Sequence, residues 1–219
     1  MTQEAANNAR RKRLPSEERR REFIAKAVEF FAQEGFESST RELARRLGVT
    51  QPLLYRYFPS KDDLIAEVYE EVYLKRWRPE WEAMLADRTL PMRERLIIFY
   101  HAYTDVVFQL DWMRIFLFAG LKGVDINRRY MERVRSRVLE PIVRECRHEA
   151  GYVTLDPTER EVDYAWVMHG GIYYYGVRTL VYQQAQLDKL DFVIRSSIDA
   201  FLMELNLLRE GADGPAPGD

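Results

Sequence analysis

The sequence predicts an all-α protein, with a small three-helix helix-turn-helix head followed by a larger helical body and about nine helices in total. Apolar residues recur at three- and four-residue steps along most of the chain, and glycine and proline fall mostly between those periodic segments. The best strand candidate, Tyr152 to Leu155, is too short to carry a sheet. A chain of 219 residues with 47% hydrophobic and 31% charged residues has the composition of a globular protein with a sizeable core. That core is rich in aromatics, from 13 tyrosines, 11 phenylalanines and 4 tryptophans.

Residues 1–15 read as a disordered basic arm ending in Arg10-Arg11-Lys12-Arg13. The first helix starts after Ser16, buries Phe23, Ile24, Ala27, Phe30 and Phe31, and stops at Gly35. Ser39 and Glu42 have the spacing of a capping box for a second helix carrying Leu43, Ala44 and Leu47 and ending at Gly48. Thr50 caps a very short third helix, Gln51 to Tyr57, with its hydroxyl aimed at the Leu53 N–H because Pro52 has none. Pro59 ends that segment, and Ser60 with Asp63 opens a fourth helix. It extends to about Leu85 with Ile65, Tyr69, Tyr73, Trp77 and Trp81 on one stripe, and Pro79 kinks or interrupts it near its end. Further helices follow at about Pro91–Leu110, Trp112–Lys122 and Ile126–Ala150, the last kinked by Pro141. Asp156 caps a long helix to about Gln184, with Pro157 in its first position. Asp188 caps a final helix to about Leu208, and 211–219 read as a disordered tail. The domain boundaries expected from this pattern are 16–60 for the head and 61–210 for the body.

The net charge of −2 hides an asymmetry. Residues 1–61 hold 13 Lys and Arg against 8 Asp and Glu, a balance of +5, and the remainder holds 20 against 27, a balance of −7. A basic first quarter on an acidic remainder suggests two tasks in one chain. No apolar run approaches the roughly 18 residues of a membrane span, so no membrane partner is expected. The polar N-terminus has no apolar signal region, and the lone Cys146 suits a reducing compartment, so a cytoplasmic location is expected. No paired carboxylates with a plausible site, Ser/His/Asp set, P-loop or glycine-rich nucleotide loop occurs, so no catalytic residue and no cofactor is assigned. His101, His148 and His169 lack metal-ligand spacing, so no metal is assigned either.

The chemistry concentrates in residues 21–64, REFIAKAVEFFAQEGFESSTRELARRLGVTQPLLYRYFPSKDDL. Three short helices with a glycine-containing turn between the second and third make a helix-turn-helix layout. The short third helix fits the DNA major groove. The helix openings at Ser39-Thr40 and Ser60-Lys61 offer N–H groups to phosphates, Lys61 adds a point charge, and Tyr55 and Tyr57 can donate to phosphate oxygens.

Phe30-Phe31 through Glu34-Gly35-Phe36, Leu43-Ala44, Gly48-Val49-Thr50, Leu54-Tyr55-x-Tyr57-Phe58 and Lys61-x-x-Leu64 together resemble the DNA-binding domain of the tetracycline-repressor-like (TetR) family. The resemblance implies that Arg41, Gln51 and Pro52 face bases, as in the family's namesake. The chemistry agrees: Arg binds guanine, Gln binds adenine, and a Pro ring touches a thymine methyl. Leu53 is apolar where the family often has a polar residue. The basic arm is expected to raise non-specific affinity more than to enter the minor groove.

The resemblance further implies a repressor whose body binds a small-molecule effector and forms a homodimer on a palindromic operator in double-stranded DNA. Tyr100, Tyr103, Phe108, Trp112 and Phe116, with Met168, His169 and Tyr173, are the candidates for an apolar pocket, and suggest a lipophilic or aromatic effector. The rival reading is that they fill the core. In this family the last two long helices form the dimer. Gly170, Gly171 and Gly176, with Ile194, Ile198, Phe201, Leu202 and Leu205, are the interface candidates. The arginines at 128, 129, 133, 135, 137, 144 and 147 read as a solvated face. A DNA-binding interaction protein whose body takes a protein partner and no small molecule is the alternative.

Overall fold

The computed structural model describes residues 16–184 and 187–212, and every regular element among them is helical. The expected basic arm, and 213–219 of the expected tail, lie outside the described residues. The chain divides into two units after Leu74.

The head contains α1 (Ser16–Glu34), α2 (Thr40–Arg46), α3 (Gln51–Tyr57) and α4, which runs from Lys61 to Tyr69 and continues through a π turn at Glu70–Leu74. Its core joins the α1 stripe of Phe23, Ile24, Ala27, Phe30 and Phe31 to Leu43, Leu54, Phe58, Leu64 and Val68. Phe31 stacks on Phe36, and Arg20 of α1 pairs with Glu67 of α4 at 2.7 Å. This packing takes α4 into the head, so the unit extends past Ser60.

Local signals set the helix starts, though not always as expected. Ser60 and Asp63 form a reciprocal capping box. Ser39 accepts from the Glu42 N–H, but the Glu42 carboxylate turns to Arg45 and Arg46 in place of the Ser39 N–H, so only half a box forms. Thr50 occupies the cap position without a side-chain bond, and the Leu53 N–H goes to the Thr50 carbonyl at 3.0 Å. The long fourth helix expected to Leu85 is two helices. The chain leaves α4 at Leu74 and restarts after Pro79, which has no N–H to give to a continuing helix. That break raises the expected nine helices to ten among the described residues.

The body contains α5 (Glu80–Ala86), α6 (Met92–Val107), α7 (Leu110–Lys122), α8, α9 and α10. Helix α8 comprises Ile126–Val134, a π turn at Arg135–Leu139 and Glu140–Glu149. The irregularity expected from Pro141 takes this form: the Glu140 N–H reaches back five residues to the Arg135 carbonyl, just ahead of the proline that cannot donate. Helix α9 runs Glu159–Gly176 and ends in a π turn at Val177–Val181. Its cap is Thr158, two residues beyond the expected Asp156, because Thr158 and Glu161 exchange reciprocal bonds while Glu159, the partner three residues on from Asp156, turns to Arg135. Helix α10 (Leu190–Ala212) begins after a 3-10 turn that contains Asp188, so Asp188 is not its cap, and it continues two residues into the expected tail.

Two buried arginines bind the body helices together. Arg95 of α6 reaches the Leu85 carbonyl, Glu145 and Glu149, and Arg147 of α8 reaches Glu161 of α9 with both contacts at 2.8 Å. Helix α9 packs along α10, and α6 packs against both α5 and α10.

Candidate nucleic-acid interface and body cavities

The turn between α2 and α3 is built on Gly48, whose φ of 65° is the left-handed conformation a side chain would strain. The Gly48 and Val49 N–H groups return to the Arg45 and Ala44 carbonyls at 3.1 and 3.0 Å, closing α2 in a Schellman motif. This geometry brings the start of α2 beside α3. There the buried Thr40 hydroxyl accepts from Gln51 Nε2 at 2.9 Å and lies 3.0 Å from the Tyr55 hydroxyl. When Thr40 spends its proton on Tyr55, the phenol keeps its own O–H to donate outward. Thr40, expected at a phosphate, is thus a hub that orients a base-reading candidate and a phosphate-reading candidate together.

The remaining head residues sort by exposure. Ser39, Arg41, Thr50, Pro52 and Tyr55 are exposed, and Gln51, Leu53, Tyr57 and Lys61 are half-buried. Tyr57 packs edge-on against Phe23 at 5.1 Å, so its ring is committed to the core. Lys61 gives two of its three N–H groups to the Phe36 and Ser38 carbonyls, bracing the α1–α2 loop. The α4 opening is occupied by its own capping box and carries Asp62 and Asp63, which repel a phosphate. Arg45 and Arg46 are neutralised by Glu42 and Glu34. Arg41 and Arg56 are exposed and have no ionic partner among the described residues. Arg56 was absent from the expected contacts, although a basic residue next to Tyr55 on so short a helix was signal enough.

The body contains two adjoining cavities. The inner one, of about 280 Å³, is lined by Tyr103, Trp112, Phe116, His169 and Tyr173 from the expected set, together with Tyr130, Met131, Trp166 and Gly170. The other three expected residues are core. Tyr100 is fully buried behind His169, with its hydroxyl 3.3 Å from Nδ1. Phe108 lies against Gly176, and Met168 is buried. The outer cavity, of about 670 Å³, shares Phe116 and Tyr173 with the inner one and adds Arg114, Asn127 and Tyr182 among others. Spacing could have found several of these: Trp166, His169, Gly170 and Tyr173 share an α9 face, as Asn127 and Tyr130 do on α8. Burial pushes the Tyr103 and Tyr173 phenols up and holds His169 down at about 4, so these groups are neutral at neutral pH.

The expected interface residues divide differently. Ile194, Ile198, Phe201 and Leu205 are buried within one chain, and Leu202 is half-buried, so this stripe of α10 is the body's own core. Gly176 is also internal: a Cβ there would fall against Met113 Cε and 2.5 Å from Phe108 Cε1. Gly170 and Gly171 remain on the surface, with Val167 and Tyr174 exposed on α9 and Phe192 and Met203 exposed on α10. Of the arginine series, Arg128, Arg129, Arg135 and Arg137 are ion-paired at the surface through Asp125, Glu132, Glu140, Glu159 and Glu82, Arg133 lies over the Trp77 ring, and Arg147 is buried against Glu161. No helix among the described residues is long and apolar enough to cross a membrane.

Residues 23–68 match the family model described as bacterial regulatory proteins, tetR family. The chain is 29% identical over 135 residues to the HTH-type transcriptional regulator HbdR of Aromatoleum sp. (strain CIB), covering 59% of this chain and 58% of HbdR. It is 39% identical over 67 residues to the HTH-type transcriptional activator FasR of Mycolicibacterium smegmatis, covering 30% of this chain and 31% of FasR. The matches therefore span less than two thirds of either relative. A TetR family transcriptional regulator from Pseudomonas syringae pv. tomato has a similar fold, with a TM-score of 0.59 at 21% identity over 84% of this chain and 95% of that one. One from Streptomyces coelicolor gives 0.56 at 22% identity over 94% and 93%.

Proposed function

The chain is a member of the tetR family of bacterial regulatory proteins, carried by residues 23–68, and from that premise we propose that it is a homodimeric repressor. It binds a palindromic operator and leaves it when a small lipophilic or aromatic effector enters the body. The observation that carries the reading is the Gln51–Thr40–Tyr55 network beside the exposed Arg41, which holds base-reading and phosphate-reading groups in one orientation. In the major groove, Arg41 takes guanine, Gln51 takes adenine and Pro52 touches a thymine methyl. Ser39, Thr50, Tyr55 and Arg56 meet the backbone on either side.

The exposed Val167 and Tyr174 on α9 and Phe192 and Met203 on α10 favour a second copy of the chain as their cover. A two-fold dimer presents two α3 helices about 34 Å apart, or a multiple of it, and so reads a palindrome. The effector acts by preferring the conformer whose reading helices are wrongly spaced, with leverage equal to its differential affinity for the two conformers. The aromatic cavities favour a small molecule over a protein partner, for which a filled body would have been the better match.

The test is a gel shift on DNA upstream of the chain's own coding sequence, with sedimentation in parallel. Tyr55→Ala is expected to abolish the shift and leave the dimer intact. An undiminished shift, or loss of the dimer, would overturn the assignment. A reporter placed behind the same DNA decides repression against activation.

A further inference from the structure

We propose that the body's ligand has two parts: an uncharged aromatic ring in the inner cavity, and a polar arm in the outer cavity that carries a hydrogen-bond donor for Asn127 and a negative charge for Arg114. The proposal rests on the reading of the body as effector-binding and names the chemistry of that effector. The two cavities meet at Phe116 and Tyr173, whose rings stand edge to face with centroids 5.9 Å apart. The two rings touch, so a molecule that occupies both chambers turns one of them aside.

The inner chamber is lined by no Lys, Arg, Asp or Glu. The hydroxyls of Tyr103 and Tyr130 satisfy each other at 2.9 Å, and His169 is neutral. A charge placed there would be desolvated without a partner. An apolar cavity of about 150 Å³ suffices for benzene. The inner volume of about 280 Å³ therefore takes one ring or two fused rings.

The outer chamber differs in its polar groups. Asn127 Nδ2 donates to the Phe116 carbonyl at 3.0 Å, which leaves Oδ1 as an acceptor, and that oxygen is buried without a hydrogen-bond partner. The Tyr173 hydroxyl at the shared wall is buried and unsatisfied as well. A buried group of this kind costs about 1–3 kcal/mol, which a ligand N–H or hydroxyl recovers. Arg114 lines the same chamber and places a cation where the arm ends.

Calorimetric titration of the full chain with two probes tests the proposal. Naphthol carries the ring alone; naphthoylglycine adds an amide N–H and a carboxylate. Naphthoylglycine is expected to bind about a hundredfold tighter, about tenfold for its amide hydrogen bond to Asn127 and about tenfold for its carboxylate at Arg114. Arg114→Gln and Asn127→Leu should each remove about tenfold for naphthoylglycine and leave naphthol within about twofold, which also shows that the variants are folded. Equal affinities for the two probes, no binding of either, or a loss by Arg114→Gln that is the same for both would overturn the two-part ligand. Gel shifts on the same samples read the parent proposal separately. A shift that persists with naphthoylglycine bound, alongside the expected probe ranking, supports the two-part ligand and sinks effector-driven release.

Discussion

Among the described residues the head buries one polar side chain, Thr40, and engages it twice, whereas the body buries Arg95, Thr104, Arg147, Glu161 and His169 and leaves four polar atoms without partners. Those four are Trp81 Nε1, Arg95 Nε, Asn127 Oδ1 and Tyr173 OH. Only Asn127 and Tyr173 line the cavities, and on the proposed function the difference separates two kinds of binding surface. A reader of DNA gains from side chains already held in their bound orientation, because ordering them during binding would cost affinity. A chamber for a small molecule gains from unsatisfied groups that only the ligand completes. All four tryptophans, Trp77, Trp81, Trp112 and Trp166, belong to the body, so their fluorescence reports its unfolding separately from the head.

The largest expected effect is on the body's charged core. Glu161→Ala leaves the Arg147 guanidinium buried without its carboxylate and removes half of the α9 cap, and should cost about 3 kcal/mol in the tryptophan-monitored transition. A loss under about 1 kcal/mol would mean that the pair is solvated like the surface pairs. Burial works against the charge on Glu161, but Thr158 and Arg147 outweigh it and hold its carboxyl below the usual carboxylate range. Its stabilisation is therefore present at neutral pH and lost in acid, as the pH falls through the folded-state value.

His169 titrates in a different window. Burial holds its pKa at about 4 against an ordinary 6.5, so between these values the unfolded chain takes up a proton that the folded body refuses. Body stability should fall by up to about 3 kcal/mol as pH drops across that window, and His169→Phe should flatten the slope. An unchanged slope in the variant would assign the acid sensitivity elsewhere.

Two glycines sharpen the contrast inside the body. Gly176→Ala presses a methyl onto Phe108 and Met113 and should destabilise by about 1–2 kcal/mol. Gly170→Ala meets nothing within 4 Å and should stabilise the helix by up to about 1 kcal/mol. Denaturant midpoints of the two variants should move in opposite directions.

The one effect confined to the head, and the one that leaves the body's stability untouched, is that of Thr40→Val. It removes the hub while keeping the shape, and should weaken DNA binding about tenfold, worth roughly 1.4 kcal/mol, by freeing Gln51 and Tyr55. The tryptophan transition should not move. If it does, the head and body are not the independent units they are taken for.

Much of the head was legible because its signals are local. The Ser60-x-x-Asp63 box, the Gly48 turn and the α1 stripe each depend on residues three or four positions apart, and each formed. What failed locally failed through competition: Glu42 had Arg45 and Arg46 within reach, and the stripe from Ile65 to Trp81 runs across the interruption that Pro79 signalled. In the body, periodicity picked out Tyr103, Trp112, Phe116, His169 and Tyr173 for a chamber wall, yet gave Tyr100, Phe108 and Met168 the same weight.

The order of helices and the basic head were determined by the sequence alone, since short-range hydrogen bonding and charge need no distant partner. The tertiary structure decided which apolar faces are core and which are open. Ile194, Ile198, Phe201 and Leu205 carry as good an interface stripe as any in the chain, but the body's own helices cover them, and Val167, Tyr174, Phe192 and Met203 are left outside. Hydrophobic spacing states that a face will be removed from water. It is non-directional, so only the packing of the whole chain determines what covers it.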